Sequence, residues 1–260
     1  MITVNELHYS NTNTYLIEGG SGTILFDTGW AGTFSVFCKE MGDNGKKIQD
    51  IDFILISHYH PDHMGIAQDI ADSGNSKILV IDLQLPFIHN SDIIFEKDGR
   101  VQFHPIVDEK VKVISPEESR GFLETLGITG EIIHTPGHSD DSISLWLDDG
   151  YLFVGDLNPL YELELHEGTE IEASWKKLLE KDPKKVYYGH ARTVETDDRS
   201  ELFPLVSKIM KYIDKGYSVE KICRKTGADQ SFVEDVNRMY LTHQNVGVQG
   251  ILDRIEIKNK

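Results

Sequence analysis

His58-Tyr59-His60-Pro61-Asp62-His63 packs three imidazoles and a carboxylate into six positions, directly after the apolar run Asp52-Phe53-Ile54-Leu55-Ile56-Ser57. Imidazole and carboxylate are the ligands that suit zinc, iron and manganese. Alternation at the end of a strand sends His58 and His60 the same way. Asp62 and His63 are adjacent, so they leave the backbone in other directions and are better placed to hold a second ion than to crowd the first. One short segment therefore starts two sites. The blander reading is a polar loop with a helix start, because Pro61 suits the first helical position and Asp62 the positive end of a helix.

Later residues weigh against that reading. Apolar runs repeatedly end in a ligand-type residue: Thr23-Ile24-Leu25-Phe26 at Asp27, Phe53-Ile54-Leu55-Ile56 near His58, Tyr151-Leu152-Phe153-Val154 through Gly155 to Asp156, and Val186-Tyr187-Tyr188 through Gly189 to His190. Short apolar runs bounded by Gly, Asp or Ser read as buried strands, and polar groups gathered at strand ends are where sheet proteins build sites. His138 lies in His134-Thr135-Pro136-Gly137-His138, where Pro and Gly make a tight connection after Glu131-Ile132-Ile133.

With these residues in this order, the chain resembles the metallo-β-lactamase superfamily over roughly residues 1 to 195. The family's HxHxDH signature is complete at His58, His60, Asp62 and His63; its later His matches His138, its bridging Asp matches Asp156 and its last His matches His190. The resemblance implies an α/β fold, a four-layer αββα sandwich with metals at one edge. It implies that His58, His60 and His138 hold one ion, that Asp62, His63 and His190 hold another, and that Asp156 bridges them. Asp27, after an early strand, looks like the family's acid that orients ligands without binding the ion; as a bare sequence feature, Asp27-Thr28-Gly29 is also an ordinary turn.

Two divalent ions follow as the implied cofactors, zinc first, with iron or manganese as alternatives. Such a pair supplies hydroxide at neutral pH, and Asp62 would hold the water and take up its proton. The stretch HTPGHSDDSISLWL at 134–147 is similar to segments of glyoxalase II-like thioesterases, lactonases and an RNA-cutting branch of the family. A metallo-hydrolase acting on a small-molecule ester, thioester or lactone leads. The alternatives are a phosphodiesterase or RNA endonuclease of the same fold, and a single-iron oxidoreductase like the persulfide dioxygenases.

Charge bears on the partner. The chain carries a formal net charge of -17, from 26 Lys and Arg against 43 Asp and Glu. Residues 1–200 hold 16 basic against 35 acidic groups, a net of -19, while residues 201–260 hold 10 against 8, a net of +2. Nucleic-acid binding rests on basic stripes that meet phosphates, and no such stripe is evident. The amino terminus has neither the basic start nor the apolar core of a leader, and no apolar run approaches the ~20 residues of a membrane helix. With two cysteines, Cys38 and Cys223, expected as buried thiols, the chain reads as cytoplasmic and unanchored.

Periodicity divides the chain into a metallo-β-lactamase domain at 1–200 and a helical extension at 201–260, read as a cap, a dimer surface or a winged-helix-like module. Strands are expected at Thr14–Ile17, Thr23–Phe26, Ile51–Ile56, Ile78–Ile81 and Val111–Ile114, then at Glu131–Ile133, Ile143–Leu147, Tyr151–Val154 and Lys185–Tyr188. Helices are expected at Pro61–Ala71, Pro116–Leu126 and Ile171–Lys181, and in the extension, where Leu202, Leu205, Ile209 and Ile213 repeat at helical spacing. Residues 86–106 mix aromatics, turn formers and charges, which suits either a lid or a surface excursion. His8, His89, His104, His166 and His243 belong to no ligand-like cluster, and His134 is left outside the ligand set.

Overall fold

The structure, a computed structural model, describes residues 2–99, 101–160, 163, 166–195, 202–242 and 251–252. Strands β1 (Thr3–Leu7), β2 (Thr14–Glu18) and β3 (Thr23–Phe26) pair antiparallel, and β4 (Phe53–Leu55), β5 (Lys77–Ile81) and β6 (Val111–Ile114) continue the sheet in parallel. The resulting six-stranded sheet runs in chain order. A second, five-stranded sheet contains β7 (Gly130–His134), β8 (Ile143–Leu147), β9 (Tyr151–Phe153), β10 (Lys185–Tyr187) and β11 (Val194–Glu195), ordered β11-β10-β9-β8-β7.

Side chains alternating across the first sheet build two separate cores, as a strand's two-residue period demands. Tyr15, Ile17, Ile24, Phe26, Leu55, Leu79 and Ile81 face Leu145, Leu147, Phe153 and Tyr187 of the second sheet. Their neighbours Leu16, Leu25, Ile54, Ile78 and Val80 face the other way, against Phe37 and Met41 of α1 (Phe34–Asp43) and Ile70 and Ala71 of α3 (Ala67–Gly74). The short α2 (Pro61–Met64) precedes α3. Helix α6 (Glu170–Leu179) covers the second sheet's outer face, where Trp175 is tilted against Tyr188 with ring centroids 6.4 Å apart. Helix, sheet, sheet, helix is the four-layer sandwich that the sequence implied.

The join between sheets is aromatic: Phe153 stacks on Tyr187 at 4.5 Å, and Tyr15 from the first sheet meets each edge-on at 5.2 Å. Each fully buried ring or aliphatic side chain there contributes about 1.5–3 kcal/mol relative to exposure. Helix α5 (Pro116–Thr125) shows local chemistry dictating an element. Ser115 Oγ accepts from Glu118 N, Glu118 Oε2 accepts from Ser115 N, and Pro116 sits where a missing N–H does no harm.

Three departures from the sequence reading have physical causes. The helix expected over Pro61–Ala71 is broken, because Gly65 N donates to Gly29 O at 2.9 Å, and a Cβ on Gly65 would lie 2.2 Å from Ala31 N. Strand β1 lies outside the expected strands: Thr3-Val4-Asn5-Glu6-Leu7 carries no clean apolar alternation, and only Leu7 is fully buried. Residues 86–106 include a helix, α4 (Asp92–Asp98), and bury Ile88, Phe95 and Ile106 in the core beneath α1 and α3. Phe95 stacks on Phe103 at 4.2 Å and meets Trp30 edge-on at 5.3 Å, so these rings are part of the core wall, while Ile93 and Ile94 of α4 are exposed.

Chain contacts separate Met1–Pro159 with His166–Val194 from a second unit, Leu160–Leu165 with Glu195–Lys260. The second unit contains α7 (Leu202–Asp214), α8 (Val219–Thr226) and α9 (Gln230–Thr242), packed around Val206, Ile209, Ile222, Val233 and Val236. Ser218 caps α8 and Gly227 ends it in the left-handed conformation, as the Thr226-Gly227-Ala228-Asp229 punctuation suggests. Among the described residues, no helix is long and apolar enough to cross a membrane. Cys38 and Cys223 are free and half-buried.

Candidate metal centre

Strand direction explains why distant residues meet. β3 runs parallel to β4; β9 runs parallel to β10, and β7 matches them because both are antiparallel to β8. Asp27, His58, His138, Asp156 and His190 all follow the carboxyl ends of these strands, and a sandwich gathers such ends along one edge.

All seven expected ligands converge there. His58, His60 and His138 form one group; Asp62, His63 and His190 form another; Asp156 joins His58 and His63 in a third, with ligand atoms inside each group no more than 4.8 Å apart. His60 Nδ1 is 3.0 Å from both His58 Nε2 and His138 Nε2. Atoms bonded at about 2.0–2.1 Å to a tetrahedral ion lie about 3.3 Å from one another, so this spacing suits one ion. Asp156 Oδ2 is central, at 3.3 Å from His63 Nε2, 3.4 Å from His190 Nε2, 3.6 Å from His138 Nε2 and 3.9 Å from His58 Nε2. His190 Nε2 also lies 3.0 Å from Asp62 Oδ2.

Hydrogen-bond accounting fixes which nitrogen each ring offers. Buried Asp27 accepts from Ser57 N at 2.7 Å, from Ser57 Oγ at 2.8 Å and from His63 Nδ1 at 2.8 Å. Ser57 has one hydroxyl proton and gives it to Asp27, so at 3.0 Å its oxygen accepts from His58 Nδ1. His190 Nδ1 donates to Asn11 O at 2.9 Å. Three imidazoles therefore present Nε2 inward, the arrangement that outer partners impose on metal-binding histidines. Asp27 adopts φ 62, a left-handed conformation that Asp tolerates better than most residues.

The donor set fits divalent ions on two further observations. Among the described residues, buried His63 Nε2 and Asp156 Oδ1 find no well-formed hydrogen bond, His63 Nε2 having only Asp156 Oδ2 at 3.3 Å, an expense that a metal bond removes. At Gly189, a Cβ would stand 2.5 Å from Asp156 Oδ1 and 2.9 Å from His63 Cε1, so glycine keeps that space open.

Charge inside the cluster is polarised. Burial opposes ionisation of Asp156, but the His190 and His63 rings outweigh it and hold the carboxyl well below the usual range. Asp62 is lowered in the same way, with burial overcome first by His190 and then by His63. Burial also opposes protonation of His63, yet Asp27 and Asp156 push it up to about 10. His190 rises to about 11 through Asp156 and Asp62. His58 falls, through burial and then His63, and His138 falls chiefly through burial. Protons and a metal ion compete for the same imidazole nitrogens, so an ion entering the cluster displaces protons.

Several supporting residues had no motif to announce them. Thr12 Oγ1 donates to Asp62 O at 2.7 Å, Thr28 Oγ1 to His63 O at 2.9 Å, and Ser91 Oγ to Tyr59 O at 2.6 Å. Tyr59 N donates to Asp141 Oδ2 at 2.7 Å. The signals were faint: a doubled acid after His138, and Thr or Ser at strand ends. His134 lies apart, its Nε2 against Asp140 O at 2.8 Å. His89 and His104 pair with Asp92 and Asp69 on the surface, His8 and His166 join no ligand group, and His243 lies outside the described residues.

Fold and cluster together define an αββα sandwich with His and Asp groups able to hold metal at one edge, and a family model described as the metallo-beta-lactamase superfamily matches residues 9–190. The chain belongs to that superfamily, most of whose members are metal-dependent hydrolases. It is 33% identical over 156 residues to a probable metallo-hydrolase of Methanocaldococcus jannaschii, covering 60% of this chain and 71% of that protein. It is 28% identical over 192 residues to a Beta-lactamase-like protein 2 homolog of Drosophila melanogaster, across 71% of this chain; the match spans 60% of the fly protein's length. Among solved structures, TTHA1623 in a di-iron-bound form superposes with TM-score 0.53 at 25% identity, over 71% of this chain and 89% of that one. A family protein of Thermus thermophilus, TTHA1429, shares the fold with TM-score 0.55 at 18% identity, over 82% and 83% of the two chains.

Proposed function

We propose that the protein is a dinuclear metal-dependent hydrolase that cleaves a small ester, thioester or lactone. The observation that carries this reading is the position of Asp156 Oδ2, within 3.9 Å of a nitrogen from His58, His63, His138 and His190, where one carboxylate serves two groups of ligands. His58, His60 and His138 would hold one ion, Asp62, His63 and His190 the other, with Asp156 between them and Asp27 holding His63 through Nδ1. Bound divalent ions supply a water of lowered pKa and polarise the substrate oxygen.

The chain's own residues do the remainder. As the water oxygen bonds to the acyl carbon, a carboxylate oxygen of Asp62 would take the water's proton, and as the acyl–oxygen or acyl–sulfur bond breaks it would return that proton to the departing alcohol or thiol. An Asp carboxylate is ionised at neutral pH and so has an oxygen able to accept. Asp27 and Ser57 keep the rings from turning, so little reorganisation is needed when charge moves. The acidic domain, -19 over residues 1–200, supports a small substrate over a polyphosphate backbone.

Zinc leads as the metal, since a set rich in imidazole with few carboxylates suits it. Iron is the second reading, favoured by the di-iron form of TTHA1623. Metal analysis of the purified protein, followed by a panel of thioesters, esters, lactones, phosphodiesters and short RNAs, tests both. Two ions per chain with thioester, ester or lactone turnover is expected. A single iron with oxygen consumption, or turnover of RNA alone, would overturn the reading.

A further inference from the structure

The turn carrying His58 and His60 follows β4 of the first sheet, whereas the turn carrying His138 follows β7 of the second. His60 Nδ1 and His138 Nε2, 3.0 Å apart, belong to turns on different sheets, and that spacing needs support from the turns themselves. Asp141 lies three residues beyond His138, is 3% exposed, and accepts the Tyr59 N–H at 2.7 Å through Oδ2. Tyr59 is the residue between His58 and His60, so one carboxylate from the His138 turn grips the middle of the other turn. Its main chain is gripped as well. Gln84, fully buried after β5, donates through Nε2 to Asp141 O at 3.0 Å and to Ile56 O at 3.1 Å, while its Oε1 accepts from Ile81 N at 3.2 Å.

A buried carboxylate is expensive unless its hydrogen bonds demand it. Packing alone would be served by an apolar residue, and among the described residues no salt bridge pairs a cation with Asp141. The other ligand group has separate supports: Thr12 on Asp62 O, Thr28 on His63 O, Asp27 on His63 Nδ1 and Asn11 O on His190 Nδ1. None of these contacts passes through Asp141.

We propose that Asp141, backed by Gln84, is a positioning residue that presets His138 against His58 and His60, and so assembles one of the two ion sites selectively. The proposal rests on the dinuclear reading for what the groups bind, and the two can fail separately.

Chelated, ion-free protein titrated with cobalt(II) tests both, read by stoichiometry and by visible absorption. Wild type is expected to take two ions per chain; fewer would sink the dinuclear reading. In Asp141→Ala, one ion should bind as in wild type and the other about 10- to 100-fold more weakly, the usual scale for an outer partner of a ligand. Adding His190→Ala to that variant should abolish the remaining tight site, whereas adding His138→Ala should leave it. Asp141→Asn, which keeps an oxygen for the Tyr59 N–H, should restore both ions. Wild-type binding in Asp141→Ala, or equal weakening of both ions that Asn does not rescue, would overturn the assignment. If Asp141→Ala does not fold, Asp141→Ser, too short to reach Tyr59 N, replaces it under the same criteria.

Discussion

The two walls of the metal centre are built differently. On the first-sheet side, a single segment, Ser57 to His63, carries four of the seven proposed ligands, and its backbone is bonded almost residue by residue: Ser57 N to Asp27, Tyr59 N to Asp141, Tyr59 O from Ser91, Asp62 O from Thr12 and His63 O from Thr28. His58 and His63 are accordingly buried, at 1% and 0% side-chain exposure. The second-sheet side supplies His138, Asp156 and His190 from three separate loops, each ligand preceded by a glycine, and the two histidines are 30% and 36% exposed. The first wall is one continuous segment, whereas the second is assembled from three loops, so its geometry depends on how the sheet strands pack.

Changes to the second wall should therefore cost most where one residue serves both ligand groups. Asp156→Ala is expected to lower occupancy of both ions together, so that metal analysis after desalting finds neither retained. Loss of only one ion would show that Asp156 is not shared. Gly189→Ala comes next, because its methyl group must displace Asp156 Oδ1 or His63 Cε1. We expect it to weaken both ions with the fold intact by circular dichroism; a variant with wild-type metal content would mean that the loop yields freely.

The first wall should respond by degrees. Asp27→Asn retains an oxygen for Ser57 N and tolerates the left-handed backbone, but it cannot accept from both Ser57 Oγ and His63 Nδ1. A loss of about 10- to 100-fold in metal affinity or turnover is expected, without loss of fold. Unchanged kinetics would reduce Asp27 to a turn residue.

Proton linkage should give the smallest and most diagnostic effect. His63 is raised above its ordinary 6.5 to about 10, so in ion-free protein its stabilising charge is fully present below about pH 6.5 and is lost as pH rises through 10. Ion-loaded protein holds a neutral ring and lacks that loss, so the stability gained on loading should grow from neutral pH towards 10. Near neutral pH, loading should release about two protons, from His63 and His190, measurable by calorimetry in buffers of different ionisation enthalpy. Proton uptake, or none, would contradict the charge arrangement.

The contrast between the walls also tells what sequence reading could reach. His58-Tyr59-His60-Pro61-Asp62-His63 announces itself because its ligands are neighbours, and β3, β6 and β8 were bounded to the residue because apolar runs ending at turn formers are local signals. His138, Asp156 and His190 were named by their order within a resemblance, since isolated residues after Gly carry little meaning alone. Asp141, Gln84, Thr12 and Ser91 were missed. Tyr59 and Asp141 are 82 residues apart, and no periodicity links a strand end in one sheet to a turn in another. Gly65 was missed for a related reason: a Pro-led helical pattern gives no warning that Ala31 backbone will press against it.

By itself, the sequence determined where most strands lie, because strand period and turn residues act over a few positions, and through its resemblance to the superfamily it supplied the class of fold and the candidate ligands. Only the tertiary structure decided which nitrogen each histidine presents, which glycines must stay bare and which carboxylate holds the two turns together. Those depend on hydrogen bonds and close approaches between segments brought together by sheet packing, where tenths of an ångström matter and sequence distance does not.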